Sequence, residues 1–153
     1  MADPLPEYER YDGLALAALV RKRAIKPAEL LDAAIARIER ANPHLNAVIL
    51  PLYERARTAI AAGLPEGPFA GVPFLLKDLG QMLAGERLAG GSRLFADFVP
   101  DHDSTLTRRF QAAGLVIAGK TNTPELGCSI TTEPRAFGPS RNPWNLAHTP
   151  GGS

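Results

Sequence analysis

A single cysteine, Cys128, leaves the sequence without an internal disulfide and without the cysteine framework of a zinc site. A reducing cytoplasm is the compartment this favours. Neither sign of charge prevails: 17 Lys and Arg stand against 16 Asp and Glu, with no extended run of one sign. The resulting net charge of +1 gives no global pull toward nucleic acid. No stretch reaches the roughly 18 uninterrupted apolar residues of a membrane span. The opening Met1-Ala-Asp-Pro-Leu-Pro-Glu7 lacks the basic start and apolar run of a secretory signal, so a soluble protein is expected. Repeats, linkers and low-complexity segments are also missing, and nothing divides residues 1–153 into separate domains.

What is present suits a folded α/β chain. Hydrophobic residues make up 45% of the 153, enough for a core, and 14 prolines with 14 glycines fix many turns. Asp12 is placed to cap a helix over 13–23 whose apolar face is Leu16, Leu19 and Val20. Pro27 suits the first turn of a second helix over 27–41, with Leu31, Ile35 and Ile38 inward and Arg37 and Arg40 on the charged outer side. Asn42-Pro43 is expected to stop it. A strand at 47–50, a helix at 52–62 ended by Gly63, and a strand at 72–76 follow, Pro73 requiring an edge or an early position. Residues 79–100 read as loop. Asp103 is the expected cap of a helix over 104–113 with Leu106, Phe110 and Ala113 inward; Leu115–Ala118 is the next strand, and a short helix includes Thr123–Leu126. Helices alternating with short apolar strands predict an α/β layered fold.

Gly114-Leu-Val-Ile-Ala-Gly-Lys-Thr121 matches the phosphate-loop pattern G-x-x-x-x-G-K-[ST]. The context is wrong for that function. A phosphate cradle needs a loop between its glycines, whereas Leu-Val-Ile-Ala is itself the strand, and a helix precedes Gly114. Lys120 is therefore expected to be structural or to line a loop. Lys77, at the end of an apolar strand, invites two readings: an exposed strand-end lysine, or a poorly hydrated amine able to accept a proton from a hydroxyl. Ser153 likewise reads as a surface tail or as a serine whose flanking glycines admit close backbone amides.

Four blocks in order sharpen these readings: Gly71-Val-Pro-Phe-Leu-Leu-Lys77-Asp78, Ala113-Gly-Leu-Val-Ile-Ala-Gly-Lys-Thr-Asn-Thr-Pro-Glu125-Leu-Gly127, Phe137-Gly-Pro-Ser-Arg-Asn-Pro-Trp144 and Thr149-Pro-Gly-Gly-Ser153. Over roughly residues 12–153 the sequence resembles the amidase signature family. The resemblance implies an α/β/α fold with a large mixed sheet and a serine–cis-serine–lysine triad. Lys77 would be the catalytic lysine, Ser153 the bridging serine after a cis peptide bond, and the attacking serine would come later in the family pattern. Residues 1–153 are thus expected to form the N-terminal portion of a single amidase domain, interrupted within the catalytic loop and inactive alone. The implied chemistry is amide hydrolysis through an acyl-enzyme, with neither cofactor nor metal.

Thr121-Asn-Thr-Pro-Glu-Leu-Gly127 looks more like amidases acting on linear or cyclic oligoamides than the transfer-RNA-linked glutamine amidotransferase subunit, which usually carries a Met-Asp-Glu-Phe version there. Cys128 has two readings, a wall of the acyl pocket or a small buried residue. Asn122, a substrate-binding candidate, and Arg141 would position loops or substrate. The expected partner is a small or oligomeric amide, without nucleic acid or membrane, and a homodimer is left open. Two alternatives stand beside amide hydrolysis: one subunit of a glutamine-dependent amidotransferase, and a non-catalytic structural or interaction fragment.

Overall fold

A computed structural model describes residues 5–152 of the chain. It contains four α-helices, α1 (Gly13–Arg21), α2 (Pro27–Leu45), α3 (Tyr53–Ala62) and α4 (Thr105–Ala112), and three strands, β1 (Val48–Pro51), β2 (Pro73–Lys77) and β3 (Val116–Thr121). The strand order is β1-β3-β2. β1 runs antiparallel to β3, with Val48 opposite Thr121, Leu50 opposite Lys120 and a bulge between Val48 and Leu50. β2 and β3 run in the same direction: Val116 N donates to Val72 O at their starts, and Asp78 N donates to Thr121 O at their ends. The sheet is therefore mixed, and the expected α/β class holds. Pro73 is the first residue of β2, which lies at the end of the strand order, so its missing N–H withdraws no bond from a central ladder. Among the described residues no helix is long and apolar enough to cross a membrane.

The chain forms two compact units. The first comprises the residues up to Arg40, Leu52–Leu75 and Arg109–Ala118. Its core is apolar: Leu16, Ala17, Ile25, Leu30 and Val72 form one cluster, and Leu31, Ala56, Val116 and Ala118 another. Each fully buried leucine contributes roughly 1.5–3 kcal/mol by leaving water. The capping reading of Asp12 is correct, its carboxylate accepting from Ala15 N at 2.8 Å. Gly63 closes α3 at φ 94°. Arg37 is not on a solvent face as expected. Its guanidinium donates to Ala33 O and Leu5 O, both at 3.0 Å, and lies 4.8 Å from the Tyr8 ring centre. The long side chain thus lies against protein, its guanidinium bonded to two main-chain carbonyls.

The second unit comprises Ala41–Pro51, Leu76–Arg108 and the residues from Gly119 onward. Its interior is partly polar, with Asp78, Ser92, Thr107, Lys120, Thr123, Thr132 and Ser140 all buried. Three expectations fail here for local reasons. α2 continues through Pro43 to Leu45, and the Asn42 side chain stabilises the helix end: its Oδ1 accepts from Ala47 N and Val48 N, both at 2.8 Å. Asn46, at φ 49°, then turns the chain out of the helix. The cap before α4 is Ser104, whose Oγ accepts from Thr107 N at 3.3 Å; the Asp103 carboxylate instead accepts from Ala84 N at 2.7 Å. That shift turns Thr107 inward and leaves Leu106 44% exposed. Within 79–100 the regular structure is the single 3-10 turn Arg93–Phe95, and the expected helix at 123–126 is the 3-10 turn Glu125–Gly127, broken by Leu126 at φ 53°.

Candidate active site

β2 runs one residue past the strand expected over 72–76 and ends on Lys77 itself. Lys77 is half-buried between Leu76 and Asp78, each 0% exposed, and its main-chain N–H donates to Gln81 Oε1 at 2.7 Å. The amine therefore leaves a backbone held on both sides. One residue away is the feature that sequence reading missed. Lys120 and Asp78 are both fully buried, with Lys120 Nζ 3.8 Å from Asp78 Oδ1. Lys120 Nζ donates to Arg87 O at 2.6 Å, and Asp78 Oδ2 accepts from Ala89 N at 3.2 Å. Burial pushes the Asp78 carboxyl above the usual carboxylate range, against the pull of Lys120 and Arg87. It likewise lowers Lys120, against the charges of Asp78 and Glu86. The largest cause of both shifts is the loss of water around a charge, and the Arg87 charge adds to the lowering of Lys120.

β3 includes the whole Gly-Lys-Thr end of the phosphate-loop match, so its amides face ladder partners. Lys120 is structural, as expected, but it sits in the interior and not on a loop. The lysine and aspartate are 42 positions apart, and the signal available in sequence was the Lys77-Asp78 doublet itself, two charges directly after an apolar strand.

The 87–92 loop that meets this pair is fixed elsewhere in the same unit. Arg87 lies 4.5 Å from the Phe137 ring centre and donates to Ile49 O at 3.4 Å. Ser92 Oγ donates to Glu125 Oε1 at 2.7 Å, and Leu126 N to Gly90 O at 2.7 Å. Gly91 takes φ 70° with room for no side chain: a Cβ there would fall 2.6 Å from Thr123 O.

Asn122 holds loops together. Its Nδ2 donates to Gly138 O and Ser140 Oγ, both at 3.1 Å, and its Oδ1 accepts from Thr123 N at 3.0 Å. Ser140 Oγ in turn donates to Asn46 O at 2.7 Å. These bonds occupy the amide, so the geometry favours the loop-positioning half of its sequence reading over substrate contact. Arg141 is exposed, and its N–H donates to Leu45 O.

Cys128 is exposed, which overturns its reading as a small buried residue. It lines an open hollow of about 260 Å³ together with Glu125, Ser129, Thr131, Glu133 and Arg135. The next residues receive the end of the described chain: Thr132 Oγ1 donates to Gly151 O at 2.8 Å, and a Cβ on Gly152 would fall 2.2 Å from Ser129 O. The Cys128 loop and the glycines preceding Ser153 are thus brought together, and only glycine fits at position 152. Ser153 and the peptide bond before it lie outside the described residues.

Comparison with known proteins identifies the family. The family model for Amidase matches residues 29–153. The chain is 48% identical over 144 residues to the 6-aminohexanoate-cyclic-dimer hydrolase of Paenarthrobacter ureafaciens, covering 93% of this chain and 29% of that protein. It is 42% identical over 132 residues to one component of the glutamyl-tRNA(Gln) amidotransferase of Synechococcus sp. (strain CC9605), covering 82% of this chain and 27% of that one. A solved structure of 6-aminohexanoate cyclic dimer hydrolase complexed with substrate superposes with a TM-score of 0.88 at 47% identity, over 94% of this chain and 30% of that one. The chain thus spans about three tenths of the length of the relatives it matches. With the family model covering most of its length and its fold shared with a solved member, the chain belongs to the amidase family.

Proposed function

We propose that this chain supplies the lysine and the bridging serine of an amide-cleaving serine hydrolase, Lys77 and Ser153, and that the attacking serine follows Ser153 in the functional polypeptide. The observation that carries this reading is the seat of Lys77, a half-buried amine at the end of a strand whose flanking residues have no exposure. In the proposed cycle, Lys77 takes a proton from Ser153 as Ser153 takes one from the attacking serine, whose oxygen then bonds to the amide carbon. Backbone amides of the glycine-rich loop hold the resulting oxyanion. The proton returns through Ser153 to the leaving amine, the carbon–nitrogen bond breaks, and water then cleaves the acyl-enzyme. Asn122 keeps the 137–140 turn in place, and Cys128 borders the hollow where an acyl or amine portion would lie.

The substrate class proposed is a small or oligomeric amide, linear or cyclic, supported by the similarity to a cyclic-dimer hydrolase. Glutamine-dependent amidotransfer is the second reading, favoured by the 42% identity to an amidotransferase component. A polypeptide continuing past Ser153 through the serine-bearing loop separates the two. Incubated alone with 6-aminohexanoate cyclic dimer, it is expected to release the linear dimer, read by mass spectrometry. Inertness toward cyclic and linear amides, together with ammonia release from glutamine that stays out of exchange with solvent when a partner protein is added, would overturn the hydrolase reading.

A further inference from the structure

The buried pair beside Lys77 is left unused by the relay, and its placement argues for a purpose. Asp78 is the residue after Lys77, and its N–H donates to Thr121 O, the carbonyl of the residue after Lys120. The two charges therefore stand at bonded ends of adjacent strands. Each also holds the same loop: Lys120 through Arg87 O and Asp78 through Ala89 N. Asp78 Oδ1 has no hydrogen-bond partner among the described residues, and the nearest cation, Lys120 Nζ, is 3.8 Å away. The other charged groups acting on the pair are Arg87 and Glu86. An apolar pair would have filled this space without the penalty of burying charge, so stability alone is a poor reason for the arrangement. Directional bonds from both charges to one loop give the pair a positioning role that packing volume alone would not explain.

We infer that Lys120 and Asp78 are positioning residues for Lys77, a buried ionic brace that sets where β2 ends and so where the Lys77 amine stands. The inference rests on the relay reading for its catalytic consequence but not for its geometric one. Lys77 follows buried Leu76 and is held at two main-chain points in succession: Lys77 N donates to Gln81, and Asp78 N donates to Thr121. The brace fixes the last of these. The phosphate-loop resemblance of residues 114–121 is, on this view, the sequence trace of a lysine recruited to a neighbouring strand's aspartate.

The test uses a polypeptide continuing past Ser153 and the paired variant Asp78→Asn/Lys120→Met, which removes both charges together and strands neither. Folding is verified by a cooperative melt. kcat is expected to fall about 100-fold, the penalty of a displacement of roughly 1 Å at a reacting group, with KM within about twofold. Independently of catalysis, acetylation of the Lys77 amine by acetic anhydride, read by peptide mass mapping, is expected to change in rate while exposed Lys22 and Lys26 label as in the parent. If that variant fails to fold, Asp78→Asn/Lys120→Gln, which also removes both charges together, is read the same way. A folded variant in which both kcat and the Lys77 labelling rate match the parent overturns the brace. Loss of the relay reading would show differently, as a Lys77→Ala protein that still turns over.

Discussion

Replacing Lys77 with alanine is expected to lower kcat for amide hydrolysis by about 10²–10⁴-fold, the range for removing a positioned general base, in a polypeptide that carries the attacking serine. KM should change little. The proposed relay would move protons in the transition state, and an interaction made only there affects kcat without affecting substrate affinity. Lys77→Arg is the informative companion. Arginine preserves the positive charge but does not give up its proton at accessible pH. If Lys77 merely supplied a cation, Lys77→Arg would retain much of the rate; as a proton acceptor it should be about as impaired as alanine. Neither substitution should unfold the chain. The groups that fix this residue are its main-chain N–H on Gln81 and its buried neighbours Leu76 and Asp78, none of which needs the side chain. Urea unfolding is expected to move by about 1 kcal/mol or less, as for partly exposed side chains away from cores and networks.

The second large effect falls on stability. Lys120→Met alone strands the Asp78 carboxylate in the interior, and breaking a buried pair by removing one partner typically costs about 3–5 kcal/mol. The loss should depend on pH, and its sign follows from Asp78. Burial already raises that carboxyl above its ordinary value in the folded chain. The folded state therefore keeps the Asp78 proton to higher pH than the unfolded state does, and this group's contribution to stability declines as pH rises through the folded pKa. Removing Lys120 takes away a favourable charge and moves the folded value further up. The melting temperatures of parent and Lys120→Met should lie closest in acid, where Asp78 is protonated in both, and diverge toward neutral pH. A gap of constant size across that range would show that lost packing, and not a stranded charge, is the cause.

Much of the fold was legible in local sequence because its cause is local. Asp12 announces α1, Gly63 ends α3, and the i, i+4, i+7 spacing of Leu31, Ile35 and Ile38 marks α2. The departures share a different origin. Asp103 reads as the cap of α4, but Ala84, 19 positions away, donates its N–H to the Asp103 carboxylate, and Ser104 caps the helix instead. Pro43 reads as a stop because its missing donor is visible in sequence, whereas the Asn42 side-chain bonds that stabilise the helix end are not. Lys120 reads as structural or loop-lining, and its burial was not legible because a lone lysine ordinarily avoids the interior; its partner follows another strand. Lys77 was legible because its signal, a charge closing an apolar strand, is contained in the strand. Cys128 was not, because exposure of a small residue in a turn-rich segment depends on how residues 124–135 close around the neighbouring hollow.

These particulars make one assignment central: Lys77 drives acylation of a serine that follows Ser153. The direct measurement is intact mass, taken at short times after mixing an activated amide or ester with the serine-bearing polypeptide, followed by peptide mapping of the adduct. The parent is expected to gain one acyl group on a serine beyond Ser153, while Lys77→Ala forms that adduct at least about 100-fold more slowly. An adduct formed equally fast without Lys77, or mapped to exposed Cys128, would contradict the assignment.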